Sequence, residues 1–230
     1  MTKVQVIIPC HGHSAFLGRA IESVKACGTD SINLQITVVC DGDNDAFQSA
    51  QGYAVDSVLL DKCYGTYIAQ NTGISLCKSE WVTFCGADDE FSPNRISAML
   101  DLADNPTWRT ILNTWHMKTD EFGLPIKLGA EALGGVFMYH SEMINKLGGF
   151  RSWLCSADTD MYTRAVRLGG RPMTVKQPHY HYRQHGKQLT HDPITKIGGT
   201  LRLAYQAEID RNLETYVKPE TGKIVERSTL

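Results

Sequence analysis

The sequence predicts an α/β fold with a mostly parallel central sheet flanked by helices, followed by a C-terminal helical extension. Three observations predict it. Apolar runs of strand length alternate with helix-period stretches through the first 103 residues, the order in which crossovers join parallel strands. A polar cluster follows three of the apolar runs, at Cys10–His13, Asp41–Asp45 and Asp88–Glu90. No linker long enough to divide the 230 residues occurs, so 1–195 reads as one domain and 196–230 as the extension. Within the domain, 1–103 forms a more regular half and 104–195 a less regular one. Ligands of open α/β sheets bind outside the carboxyl ends of the strands, so the three polar clusters are expected to line one crevice.

The elements follow in order. Val4–Pro9 is an apolar run ended by proline, a buried strand. Ser14 can cap a helix whose apolar positions Phe16, Leu17, Ala20, Ile21 and Val24 recur at helical spacing, and Gly28 stops it. Leu34–Cys40 and Val55–Leu60 are the second and third strands. Tyr67–Cys77 reads as a helix and Trp81–Cys85 as the fourth strand. Ser92-Pro93 opens a helix running to about Ala103. Thr110–Met117 alternates like a strand and Gly134–Tyr139 is another. Ser141 is the expected cap of a helix over Glu142–Leu147, closed by Gly148-Gly149. Acids then open a helix in "CSADTDMYTRAVRLGG" (155–170), and 176–193 is dense in His and Tyr.

Bulk properties narrow the classes. The net charge is −2, but it is uneven: residues 1–90 carry 5 basic and 11 acidic groups, residues 171–230 carry 10 and 6. A basic, His-rich last third can meet phosphate, nucleic acid or an anionic membrane surface, or be a solvated helical tail. The overall negative charge argues against strong non-specific DNA binding. Seven cysteines without a CxxC pair, several inside apolar runs, suit buried thiols in a reducing, cytoplasmic setting. No run of about 18 apolar residues predicts a membrane span. Walker, GxGxxG, GxSxG and HExxH patterns are absent, against P-loop, Rossmann dehydrogenase, serine hydrolase and zinc protease chemistry.

Four groups of residues can carry chemistry, each with a plainer reading beside it. Asp88 and Asp89 at a strand end suit a hard divalent cation whose shell a diphosphate completes; they suit a polar turn before the Ser92-Pro93 helix equally. Asp41, after a buried strand, can accept from a nucleobase or ribose, and Asp-Gly is also a strong turn former. Asp158 and Asp160 stand at a helix start, where acids are ordinary, but a carboxylate there can act as a general base. His181, Arg183 and His185 alternate onto one face of an extended segment, able to meet a metal or a diphosphate, or simply solvent.

In order along the chain, these stretches resemble the inverting family 2 glycosyltransferases of the GT-A fold. "VIIPCHGHSAFLGRAIESV" is similar to that family's opening strand, Pro and polar loop. "ITVVCDGDND" is similar to "IIVVDDGSTD", and "AQNTGI" to "ARNxGI". "WVTFCGADDEFSPNRI" resembles "yIxFLDADDxxxPxxL", and "GGVFMYHSEMINKLGGF" resembles "lfrRexlexlGGFd". "SADTDMYTRAVRLGG" resembles "xEDxDLxxRlxxxG", and "HYRQHGKQLT" resembles "YRxHxxxxS". The match covers roughly residues 3–192. Single motifs of this kind are weak; seven in the right order are specific.

The resemblance implies transfer of a sugar from a nucleotide-sugar donor, UDP-linked by family frequency, to an acceptor hydroxyl. Asp41 then holds the base above the loop Pro9–His13, with Pro9, His11, Asn71 and Arg183 among the donor-binding residues. Asp88 is the second Asp of the DxD motif. With Asp89 and His185 it holds Mn²⁺ or Mg²⁺. Asp158 is the general base. Four positions depart from the pattern: Gly86 stands for the first Asp of DxD, Cys40 for the first Asp of "DDGS", Gln70 for the Arg of "ARN" and Ala157 for the Glu of "ED". The acceptor stays open among glycan, lipid-linked sugar, protein and a hydroxylated DNA base. Two rivals remain. A non-catalytic nucleotide-sugar binder accounts for the departures. A sugar nucleotidyltransferase needs a basic Gly-rich loop that "PCHGHS" does not provide.

Overall fold

The computed structural model describes residues 1–131, 134–186 and 188–229. Its organising element is β1 (Thr2–Cys10), which lies between β2 (Ile32–Cys40) and β4 (Trp81–Phe84) and is parallel to both, while β3 (Asp56–Leu60) extends the parallel block beyond β2. Three helices make the crossovers: α1 (Ser14–Lys25), α2 (Asn44–Gln51) and α3 (Thr66–Leu76).

The period-two alternation of β1 sorts the core. Val4, Val6 and Ile8 face a layer with Leu17 and Ile21 of α1, Phe47 of α2 and Met99 of α4 (Arg95–Leu102). Ile7 faces the other layer, with Tyr67 of α3, Ile144 of α5 (Ser141–Leu147) and Met161 of α6 (Ala157–Arg167). Burial on both faces is why the strands read as continuous apolar runs.

Past β4 the sheet is mixed. β8 (Met138–His140) runs antiparallel between β4 and β6 (Thr110–Thr119); β9 (Arg171–Arg183) is parallel to β6, and the two-residue β5 (Glu90–Phe91) is antiparallel to β9. A hairpin joins β6 to β7 (Pro125–Gly129). Parallel pairing makes up the first half and the long β6–β9 pair, and the antiparallel pairs of β5, β7, β8 and the last strand, Ile224–Ser228, make the sheet mixed. The α/β architecture itself is as expected.

Four further details differ from the sequence reading. Asp43 starts α2 by accepting from the Ala46 amide at 2.9 Å, a helix in a stretch to which the sequence reading assigned no element. The Gly134–Val136 part of the next apolar run is a 3-10 turn, and the strand begins only at Met138. His140, not Ser141, caps α5: its Nδ1 accepts from the Glu142 amide at 3.2 Å. The extension 196–230 is helical only over α7 (Thr200–Arg211). Its end forms β10 (Ile224–Ser228), antiparallel to β3 at the sheet edge. The returning tail crosses Gly148, where the Val217 amide donates to the Leu147 carbonyl at 2.8 Å and a Cβ would overlap the Val217 carbonyl. Gly148 thus ends α5 with φ +82° and also leaves room for the tail.

Candidate active site

The crevice is built from the loops after β1, β2 and β4, as parallel topology requires. After β1, Gly12 takes φ +70° and donates its amide to Asp43 Oδ2 at 2.7 Å. His11 Nδ1 lies 2.8 Å from the Asp41 carbonyl oxygen. The two loops enclose an open cleft of about 540 Å³, with His11, Gly12 and Ser14 on one side and Gly42 to Asp45 on the other. Pro9 is half-buried in β1, one residue before this loop.

Asp88 follows β4 and reaches out of the turn. Its Oδ2 lies 2.8 Å from His185 Nε2, just beyond the end of β9. The His13 ring meets the His185 ring edge-on at 5.2 Å, and Phe16 lies against His185 at 5.2 Å. Ligand-capable atoms of His13, Asp88 and His185 all lie within 4.8 Å of one another. Two imidazoles and a carboxylate converging from three separate loops form a donor set that fits a divalent cation.

Asp89 is outside that set, correcting its assignment as a metal ligand. It is buried, with Oδ2 accepting from Tyr180 Oη at 2.5 Å and Oδ1 from the Arg183 amide at 2.8 Å. Burial, and then the neighbouring Asp88, push its carboxyl well above the usual range. Arg183 is also inside the fold rather than in the crevice. Its guanidinium donates to the Asp88 carbonyl (2.7 Å) and the Glu121 carbonyl (2.7 Å) and pairs with Glu90.

Asn71 and Asp41 also bond within the fold. Asn71 is buried and exchanges two hydrogen bonds of 2.9 Å with the Phe150 main chain, tying α3 to the segment before α6. Asp41 is buried, and its carboxylate accepts from the amides of Tyr64 (2.8 Å) and Gly65 (2.7 Å). These bonds shape the β3–α3 loop. His181 leaves the His/Arg face as well, with Nε2 2.9 Å from Ser92 Oγ.

Gly86 proves crowded rather than open. A Cβ there would lie 2.6 Å from Asp89 Oδ2 and 2.8 Å from Asp88 Oδ1. With Asp88 and Asp89 placed this way, a further carboxylate has no room.

Asp158 sits in the first turn of α6, after Ser156 in the left-handed region (φ +64°). Tyr67 Oη donates to Asp158 Oδ1 at 2.9 Å, and Gly135 lies beside Oδ2. Burial, and then Asp158 itself, hold the Tyr67 hydroxyl well above its ordinary pKa, so it stays a donor. The 3-10 turn carrying Gly135 also bonds to β4 through Thr83 Oγ1 and the Val136 carbonyl, which links the head of α6 to the strand that presents Asp88. Asp160 instead faces inward between Arg151 (3.0 Å) and Arg164 (2.7 Å). His13 and Tyr67 are the two residues that sequence reasoning missed. His13 had a weak signal as a second histidine in a strand-end loop, and Tyr67 had none.

Family comparisons agree with this architecture. The chain belongs to glycosyl transferase family 2, whose model matches residues 5–148. It is similar to the succinoglycan biosynthesis protein ExoO of Rhizobium meliloti, 27% identical over 105 residues, covering 44% of this chain and 30% of that protein. It is also similar to an uncharacterized glycosyltransferase of Mycoplasma genitalium, 25% identical over 124 residues, covering 50% of this chain and 41% of that one. The chain thus spans well under half the length of either relative. Among solved structures it resembles S. aureus TarS in complex with UDP (TM-score 0.66, 14% identity, 90% of this chain and 69% of that one). The TarS complex with UDP-GlcNAc gives the same TM-score over 81% of this chain and 60% of that one. The fold is that of the GT-A glycosyltransferases. Among the described residues, no helix is long and apolar enough to cross a membrane.

Proposed function

We propose that the chain is an inverting, metal-dependent glycosyltransferase that uses a nucleotide-sugar donor, UDP-linked in the first instance. What supports this is a pair of differently built acids: Asp158, held by the Tyr67 hydroxyl, and Asp88, held by His185. TarS, of the same fold, is known with UDP and with UDP-GlcNAc bound, which favours a uridine donor. The nucleoside fits the cleft between His11–Ser14 and Gly42–Asp45, beside the cation site.

Asp158 takes the proton of the acceptor hydroxyl. The hydroxyl oxygen attacks the anomeric carbon from the face opposite the diphosphate, and the bond from that carbon to the diphosphate oxygen breaks. The electron pair leaves with the nucleoside diphosphate, and the configuration inverts. His13, Asp88 and His185 would hold a divalent cation, which would supply charge stabilisation for that leaving group. The acceptor class and a cytoplasmic location belong to the proposal in their broadest form: a hydroxyl-bearing acceptor, met away from any membrane span of this chain.

The test is a thermal-shift screen of nucleotide sugars with and without Mn²⁺, followed by an assay of nucleoside diphosphate release. A ligand present at about 100 times its Kd stabilises the fold by ~2.7 kcal/mol, a readily measured shift. Metal-dependent stabilisation by a UDP-sugar, with UDP release abolished in Asp158→Asn, is the expected result. Binding without any release in the wild type establishes the non-catalytic binder instead. No stabilisation by any nucleotide sugar refutes the donor class.

A further inference from the structure

His13 closes the polar loop after β1 and stands beside Asp88 and His185. Its backbone is fixed at the head of α1, where its carbonyl accepts from the amides of Phe16 (3.0 Å) and Leu17 (3.2 Å). Its ring meets His185 edge-on, and Phe16, one helical turn along, braces His185 from another side. The carboxylate that the family pattern puts at residue 86 is missing, and Asp88 and Asp89 occupy the space it needs. A donor atom lost from one loop is thus matched by a donor atom gained from another.

We propose that His13 is a direct ligand of the site's cation, and that the resulting two-imidazole, one-carboxylate set selects a first-row transition-metal ion over Mg²⁺. This rests on the metal half of the proposed function. The chemistry is that of ligand softness. Mg²⁺ is small and hard, prefers oxygen and gives up its water reluctantly, whereas imidazole nitrogen suits borderline divalent ions. Two of the three protein donors here are nitrogen, so each adds more affinity for Mn²⁺ or Co²⁺ than for Mg²⁺. The Irving–Williams order further predicts that Co²⁺ binds more tightly than Mn²⁺. His13 also closes the loop that carries His11 and Gly12, so its ligation holds one wall of the nucleoside cleft.

The test is cation binding to the whole chain without nucleotide. Calorimetry with Mn²⁺, Co²⁺ and Mg²⁺ is run on the wild type, His13→Ala and His13→Asp, and spin-echo spectroscopy counts imidazole nitrogens on bound Mn²⁺. The wild type is expected to prefer Co²⁺ to Mn²⁺ and Mn²⁺ to Mg²⁺, with two imidazoles seen on Mn²⁺. His13→Ala should weaken Co²⁺ by at least ~10-fold, the lower end of what losing even an outer-shell partner costs, and remove one imidazole. His13→Asp, which supplies an oxygen donor if the alanine variant folds poorly, should narrow the gap between Mn²⁺ and Mg²⁺. Unchanged Co²⁺ affinity and two imidazoles in His13→Ala would overturn the ligand assignment while leaving the Asp88–His185 site standing. Mg²⁺ binding as tight as Mn²⁺ in the wild type would overturn the ion class. Binding of none of the three cations would overturn this inference together with the metal dependence on which it rests.

Discussion

Replacing Tyr67 by Phe tests whether Asp158 works as a held base. The substitution removes one hydroxyl and keeps the ring, which lies 5.5 Å from that of Phe150, so the packing of α3 on the second core layer survives. What is lost is the 2.9 Å hydrogen bond to Asp158 Oδ1. A hydrogen bond to a charged group is worth about 1.5–3 kcal/mol. Carboxylate torsions are broad, so without it Asp158 swings about its last bond and spends less time aimed at the acceptor. At about 1.36 kcal/mol per tenfold in rate, full loss of that alignment lowers kcat by roughly 10- to 150-fold. Removing the base itself in Asp158→Asn costs more, about 10²–10⁴-fold. Because Tyr67 acts through Asp158, the double variant should be no slower than Asp158→Asn alone. The assay is UDP release from the donor found by thermal shift, with kcat and the donor KM measured separately. A Tyr67→Phe variant that raises KM at unchanged kcat, or that slows Asp158→Asn by the same factor as it slows the wild type, refutes the positioning role.

Asp160→Asn should be a stability lesion: leaving Arg151 and Arg164 beside a buried neutral amide costs about 3–5 kcal/mol. At ~2–4 °C per kcal/mol for a chain of this size, calorimetry should find the melting temperature lower by roughly 6–20 °C, while the donor KM of the folded fraction stays unchanged. His181 contributes acid sensitivity, because its burial holds its pKa below the ordinary 6.5 against the opposing pull of Glu90 on the paired strand. A depressed histidine stabilises the fold above its unfolded pKa and loses that contribution as pH falls. Denaturant unfolding of His181→Gln should therefore show a flatter decline of stability than the wild type as pH falls below about 6.5; an unchanged slope would assign the sensitivity to other groups.

The first half of the fold was legible because its strands are buried on both faces and its helices are amphipathic, so apolar runs and their spacing mark the elements. The second half was harder to read for a physical reason. In β9, Tyr180 and Arg183 are buried against Asp88, Asp89, Glu90 and Glu121, far away in sequence, so the local alternation of His181 and Arg183 marks an extended segment but not the bounds of a 13-residue strand. The tail misled because β10 carries the charged run Ile224–Ser228 and gains its place from the open edge of β3, which no local pattern of its own announces. The site shows the same division. That Asp88 ends a strand and Asp158 opens a helix follows from the sequence pattern around each. That Asn71, Asp41 and Arg183 are braces follows only from where their partners lie.

The triplet Asp88, Asp89 and Glu90 shows why braces are needed. Three consecutive acids at a strand end cannot all face the same crevice, since successive side chains of an extended or turning chain diverge. Asp88 faces out to His185, Asp89 turns inward to Tyr180 and the Arg183 amide, and Glu90 pairs with Arg183 and, at 2.8 Å, with Arg19. An inward carboxyl next to an outward one is unfavourable twice, by desolvation and by repulsion, unless donors meet it. Arg183 provides them at the end of β9. Its amide takes Asp89, its Nε takes the Asp88 carbonyl, and its charge faces Glu90. Position 183 therefore sets the direction in which Asp88 points by holding the Asp88 carbonyl and the neighbouring acids, and an arginine suits it because its several donors lie in one rigid plane.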